Sequence, residues 1–261
     1  MSDLLPLSPS APVRTRPRQG GFSLVELMVS IAIALFIAAG LTFLYINMKT
    51  TFNSQDQMSQ LQDAQRLAVT MLTTTVQSTG YFPNPSPSNT ASTALPASTQ
   101  NNTDGSSFAA GQGIVGKVGT SGTGNTSDTV NVRYQTSGTD AVMNCQGATA
   151  TVQTTWVNTF SIDTSNNLNC AVAATGGGVT TAAAAVPLVA NVSKMTVLYG
   201  VDIDGDGNTD TYLPASQITA ALWPTVRSAK FTLNFVVPSI APGVAATTQT
   251  WTQTIRLMNN P

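Results

Sequence analysis

The chain has 261 residues, 11 Lys and Arg against 12 Asp and Glu, a formal net charge of −1, and only 9% charged residues, where a soluble domain usually has about 25%. It has no histidine, which excludes Ser-His-Asp and Cys-His arrangements and imidazole metal sites. It also lacks the basic excess that binding nucleic acid calls for. Mean hydropathy is only +0.09, too low for a multi-span membrane protein. Thr, Ser, Asn, Gln and Gly stand where Lys and Glu usually do, which suits a polar β-rich surface outside the cytoplasm.

Residues 1–21 hold three arginines (Arg14, Arg16, Arg18) and four prolines (Pro6, Pro9, Pro12, Pro17), so no stable helix is expected there. The 22 residues from Leu27 to Met48 carry no charge, long enough to span a bilayer as a helix. Arginines before the run, against the single Lys49 after it, place the N-terminus in the cytoplasm and the rest across the membrane. A cleaved signal peptide fits poorly, since the run exceeds the usual apolar core and no small-residue cut site follows it. The one glutamate of the chain, Glu26, lies at the start of the run. Unpaired in lipid it would cost several kcal/mol, so a partner cation is expected. Gly40, within the run, has two readings: a local loosening of the helix or a small residue for close helix packing.

Arg18-Gln19-Gly20-Gly21-Phe22-Ser23-Leu24-Val25-Glu26-Leu27-Met28-Val29 resembles the prepilin motif of type IV pilins and pseudopilins. The resemblance implies a prepilin peptidase that cuts between Gly21 and Phe22 on the cytoplasmic side. It also implies N-methylation of the new Phe22 terminus. Glu26 becomes the fifth mature residue, the glutamate that in this family pairs with the N-terminal amine of a neighbouring subunit. That amine is a candidate for the missing cation.

Past Lys49 the pattern turns amphipathic. Met58, Leu61, Ala64, Leu67, Ala68, Met71, Leu72 and Val76 recur at spacings of three and four, with Gln55, Asp56, Gln62, Asp63, Arg66 and Gln77 opposite. Gly80 and Pro83, Pro85 and Pro87 stop the helix. One helix over 22–80 is expected, its first part 22–48 in the membrane or a filament core. Its second part needs a sheet to cover the apolar stripe, unless a coiled-coil partner does so. Gln65-Arg66-Leu67-Ala68 followed by Gly80-Tyr81 resembles the PilW branch of minor pilins, with Gln77 where that branch often has a second arginine.

Residues 84–126 are rich in Ser, Thr, Asn, Gly and Pro, and an exposed loop region over 81–127 is expected. An extracytoplasmic β-rich domain over 128–261 follows. Thr129–Tyr134, Thr151–Val157, Lys194–Tyr199, Ala229–Val237 and Thr248–Leu257 read as strands. In the last, Trp251, Gln253, Ile255 and Leu257 share one face. Ala182–Ala185 gives no confident helix. Trp156, Trp223 and Trp251 read as core anchors, with a ligand surface as the alternative. Together these elements predict an α+β class, a long N-terminal helix packed on an antiparallel sheet, and the pilin resemblance implies the same fold.

Cys145 and Cys170 are the only cysteines, and both lie in the translocated part. A disulfide is expected in an oxidising compartment, with free thiols or a metal pair as alternatives. Val201-Asp-Ile-Asp-Gly-Asp-Gly-Asn-Thr-Asp210 sets Asp202, Asp204 and Asp206 at positions 1, 3 and 5 of a calcium-type loop, Asn208 at 7 and Asp210 at 9. Position 12 is Leu213 and a strand precedes the loop, so it is no EF-hand. Calcium and a plain acidic turn are the competing readings, and no cofactor is otherwise required.

No phosphate loop, nucleophile-base pair or redox motif is present, so no catalysis is expected. The resemblance implies a minor pilin that helps start or cap a type IV pilus and supports motility or adhesion. Its implied partners are the prepilin peptidase, other minor pilins, the major pilin and a tip adhesin. The chain would sit single-pass in the inner membrane before moving to the pilus. A minor pseudopilin of a type II secretion system is the near alternative, and a membrane-anchored surface adhesin the distant one.

Overall fold

A computed structural model describes residues 21–98, 105–119, 126–237, 239 and 245–258. The arginine-bearing segment up to Gly20, expected as part of a leader, lies outside the described residues. The chain divides into two compact units, Met1–Phe52 and Asn53–Pro261.

In the first unit a single element is described, the opening part of helix α1 (Leu24–Gln77). It is long and apolar enough to cross a membrane, and every described side chain up to Phe52 is exposed. Its few hydroxyls turn inward. Ser30 Oγ donates to the Glu26 carbonyl at 2.7 Å and Thr42 Oγ1 to that of Ala38 at 2.8 Å. Their polarity is thereby spent on the helix backbone, leaving an apolar outer surface.

In the second unit α1 becomes one-sided. Leu61, Ala68, Leu72 and Val76 are buried at spacings of seven, four and four, one stripe of a 3.6-residue helix. Leu67 and Met58, also predicted for the stripe, stay exposed. Beyond Gln77, Gly80 takes a positive φ of 74°, a conformation glycine adopts at low cost, and its N–H donates to the Arg133 carbonyl at 2.9 Å.

Among the described residues nine strands follow, all paired antiparallel. They are β1 (Ile114–Lys117), β2 (Thr129–Thr136), β3 (Thr154–Ile162), β4 (Leu168–Gly176), β5 (Val179–Val189), β6 (Val192–Val201), β7 (Thr211–Pro214), β8 (Val226–Val237) and β9 (Thr247–Arg256). The single sheet expected from the sequence is two: one of order β1-β2-β3-β4-β5 and one of order β7-β6-β8-β9. β1, β4, β5 and β7 escaped the sequence reading because Ala, Thr, Gly and Asn dilute their alternation. One apolar core draws on α1 and both sheets, with Leu72, Val132, Phe160, Met195, Tyr199, Phe231 and Phe235 among its buried members. Tyr199 and Trp223 meet edge to face, 4.9 Å between ring centres. Trp156 and Trp223 are buried and Trp251 half-buried, as core anchors would be. In β9, Ile255 and Leu257 are buried and Trp251 and Gln253 half-buried, while the residues between them are exposed, so the predicted face is the one turned inward.

The stretch expected as an exposed loop does more than connect. It supplies β1 and a short helix, Ala91–Ala94, and buries Leu95, Phe108 and Ile114. These residues cover the polar side of β2, where Asn131, Arg133 and Gln135 alternate with Val130, Val132 and Tyr134 and all six are buried.

Candidate functional site

Gly21 and Phe22 precede the first turn of α1, which opens with the Leu27 N–H donating to the Ser23 carbonyl at 3.1 Å. A Cβ built on Gly21 would meet nothing within 4 Å, so the chain's own packing does not require glycine there. Phe22 is 81% exposed. Glu26 sits in the first turn, where a carboxylate complements the positive end of the helix dipole. Among the described residues no cation of this chain pairs with it. The apolar side chains from Leu24 to Met48 are likewise without internal cover.

Cys145 and Cys170 form a disulfide with Cα atoms 6.3 Å apart, and both are buried. Closing 25 residues of sequence stabilises the fold by roughly 3 kcal/mol in the chain-entropy view. The bond ties the segment before β3 to β4. Next to it, Gln146 Nε2 donates to the carbonyls of Cys170 at 2.9 Å and Ala184 at 3.0 Å.

The acidic loop joins β6 to β7. Gly205 and Gly207 take φ of 80° and 86°, which lets the backbone fold over Asp202. That carboxylate is buried. It accepts from the N–H of Gly205 at 2.7 Å and of Gly207 at 3.0 Å, and from Arg227 Nε at 3.1 Å. Burial disfavours its charge, but Arg227 and the two amides outweigh that and hold the carboxyl below its ordinary range. Asp210 Oδ2 accepts from Ile203 N–H at 2.7 Å. Asp202, Asp204 and Asp210 each offer one carboxylate oxygen, all within 4.8 Å of one another. Asp206 stands outside this trio, accepting instead from the backbone and side-chain amides of Asn208 at 2.7 and 3.0 Å.

Two polar centres were not read from the sequence. Arg133 is 1% exposed and faces no carboxylate among the described residues. Its Nε and Nη2 donate to Gln112 O at 3.1 and 2.7 Å, Nη2 also to Leu95 O at 3.2 Å and Ala109 O at 3.0 Å, and Nη1 to Pro96 O at 2.6 Å. The Phe108 ring lies 4.6 Å away. Burial brings this guanidinium down to about 10, so it stays charged at neutral pH. The second centre is Asp140. Burial opposes its ionisation, yet hydrogen bonds from the Thr136 hydroxyl and the Ser137 and Val142 amides bring it down to about 2. Tyr81 Oη donates to the same carboxylate at 3.3 Å. The only hint of either centre in the sequence was an arginine in an alternating strand and an aspartate in a Ser-Gly-Thr turn.

Two family models match the chain. The prokaryotic N-terminal methylation motif covers residues 16–42, around Gly21, Phe22 and Glu26. The type IV pilus-assembly protein W model, PilW, covers residues 151–259. That span runs from β3 through β9 and holds the acidic loop and Cys170. Together these two matches are the ones a PilW-family protein gives. Cys145, Arg133 and Asp140 fall outside both matched spans. Comparison with curated proteins and with solved structures gives no match.

Proposed function

We propose that this chain is a PilW-family minor pilin that helps start or cap a type IV pilus. Its work is done at interfaces and it catalyses nothing. The observation that carries this reading is the contrast within α1. Among the described residues the motif-bearing apolar part of the helix is exposed throughout, while its later part joins a buried core. Such a helix exchanges lipid for the helices of other subunits when it joins a filament. In this reading the peptidase cuts between Gly21 and Phe22 and Phe22 is methylated. Glu26 takes the amine of a neighbouring subunit as the cation its own chain does not supply.

The test is a pair of variants in the native host. Gly21→Ala should block processing, seen as an unshifted band, and should abolish the chain's part in piliation. Glu26→Val should be processed at close to the normal level yet assemble poorly, because the apolar replacement leaves the helix in lipid without a partner charge to recruit it. Normal piliation with Gly21→Ala would sink the reading. Normal piliation with Glu26→Val would remove the pairing step alone.

For the acidic loop we propose a weak calcium site on Asp202, Asp204 and Asp210. Three carboxylate oxygens lie within 4.8 Å of one another, a spacing that suits a hard cation. Arg227 already neutralises Asp202, so binding in the millimolar range is expected. Titration calorimetry of the full chain in detergent reads it. Neither heat nor a rise in melting temperature at 10 mM calcium, taken as about ten times the expected constant, would reject the site.

A further inference from the structure

β5 is the outer strand of the five-stranded sheet, and among the described residues no strand pairs along its other side. At 11 residues it is the longest sheet edge among the described residues. The edges formed by β1 and β7 have four residues each, ending on Lys117 and Pro214. Shortness, charge and proline are the usual protections of an edge against pairing with another chain. β9 is nearly as long, but polar Thr and Gln fill its exposed positions, and it ends on the exposed charge of Arg256.

β5 lacks these protections over most of its length. No charged residue occurs from 164 to 193. Val179, Thr181, Ala182, Ala184, Ala185 and Val186 are exposed, and proline enters only at Pro187. An edge also differs from an apolar patch in that its chemistry states what covers it. Every second residue turns both N–H and C=O outward, so eight residues offer about eight hydrogen bonds to a strand and to little else.

The edge is also held in place. Gly177 and Gly178 take φ of 58° and 80° and set the tight turn from β4. The β4–β5 register slips between Cys170 and Val172, and there Gln146 bridges the carbonyls of Cys170 and Ala184. The neighbouring disulfide fixes the segment that carries Gln146. A strand ordered in advance binds without the cost of ordering it.

We propose that β5 is a docking strand, to which another pilin-fold subunit adds an uncharged extended segment by edge pairing. The absence of charge along 164–193 gives a charged segment no counter-ion, and the neutral edge suits a neutral strand. This inference rests on the assembly role proposed above.

Photo-crosslinking in the native host tests it, with p-benzoylphenylalanine at Val179, Thr181, Ala182 or Ala185 and peptide mapping of the products. The expected result is a cross-linked partner of pilin fold, with the four positions mapping in order along one uncharged, extended segment. No cross-link above a control at Thr252 would overturn the proposal. So would linkage to a second copy of this chain, or to a helix.

Ala182→Lys and Ala185→Lys give a second measurement. Both should be processed normally and keep the wild-type melting temperature, with surface pili reduced at least tenfold. Wild-type piliation in both would overturn the docking strand. If either melts early, the cross-links on the otherwise native chain decide. Gly21→Ala separates the two levels. If it abolishes piliation while the Lys variants do not, docking alone fails; if it changes nothing, the assembly role fails.

Discussion

Two leucines on one helix frame what holds this protein together. Leu35 and Leu72 both belong to α1, yet Leu35 is 66% exposed and Leu72 is fully buried. Leu72 has its partners within the chain, among the core of α1 and the two sheets. Leu35 has none there, and in the proposed role its partners are lipid and then other subunits. The difference teaches that a helix can be one element of secondary structure and two of energetics. The buried core that folds the protein lies beyond Phe52, whereas in the proposed role the apolar part before it serves location and assembly.

The largest expected loss of stability is at Arg133. Arg133→Met keeps much of the side-chain volume but removes the charged donor from the carbonyls of Leu95, Pro96, Ala109 and Gln112. With hydrogen bonds to a charged group worth about 1.5–3 kcal/mol each, the total should exceed about 3 kcal/mol in a denaturant melt of the detergent-solubilised chain. A loss under 1 kcal/mol would show that water replaces the guanidinium at no cost. Leu72→Ala follows, at about 3 kcal/mol, in the same melt.

Asp140→Asn should cost less than about 1 kcal/mol at neutral pH, since the carboxylate is partly exposed and solvent screens it. Its folded pKa of about 2 lies below the unfolded value of about 3.9. The carboxylate therefore stabilises the fold above pH 4, and the benefit is lost as pH falls from about 4 to about 2. The difference in melting temperature between wild type and Asp140→Asn should shrink over that window, and a constant difference would refute the assignment. Leu35→Ala comes last. It should change the melt by less than about 0.5 kcal/mol, and a larger effect would mean that this part of the helix has partners within the chain.

The helix and its motif were legible because their signals are local. An uncharged run, a glycine before an aromatic and a 3.6-residue stripe can be read along the chain without knowing what folds against it. The strands with large β-branched or aromatic residues were legible for the same reason. β4 and β5 were not, because alanine, threonine and glycine carry little periodic signal and the bulge near Cys170 breaks what remains. The role of Arg133 could not be read at all. Its acceptors at Leu95, Pro96, Ala109 and Gln112 are backbone carbonyls up to 38 residues away in sequence, and a carbonyl is common to every residue type. The acidic loop was legible as a cation-seeking turn, but its paired cation is Arg227, 25 residues on and on a strand of its own.

The position of Arg133 has a kinetic consequence. A buried guanidinium without its acceptors is far less stable than one in water, so a state in which the sheet is closed while Leu95, Pro96, Ala109 and Gln112 have come away would be poorly populated. The two should open together. In hydrogen exchange, the amides of Gly111 and Arg133, donating to Leu95 and Gly113, would then exchange at one common rate, as members of a single cooperative unit. A segment that resembles a linker in its composition would thus open only with the sheet it covers.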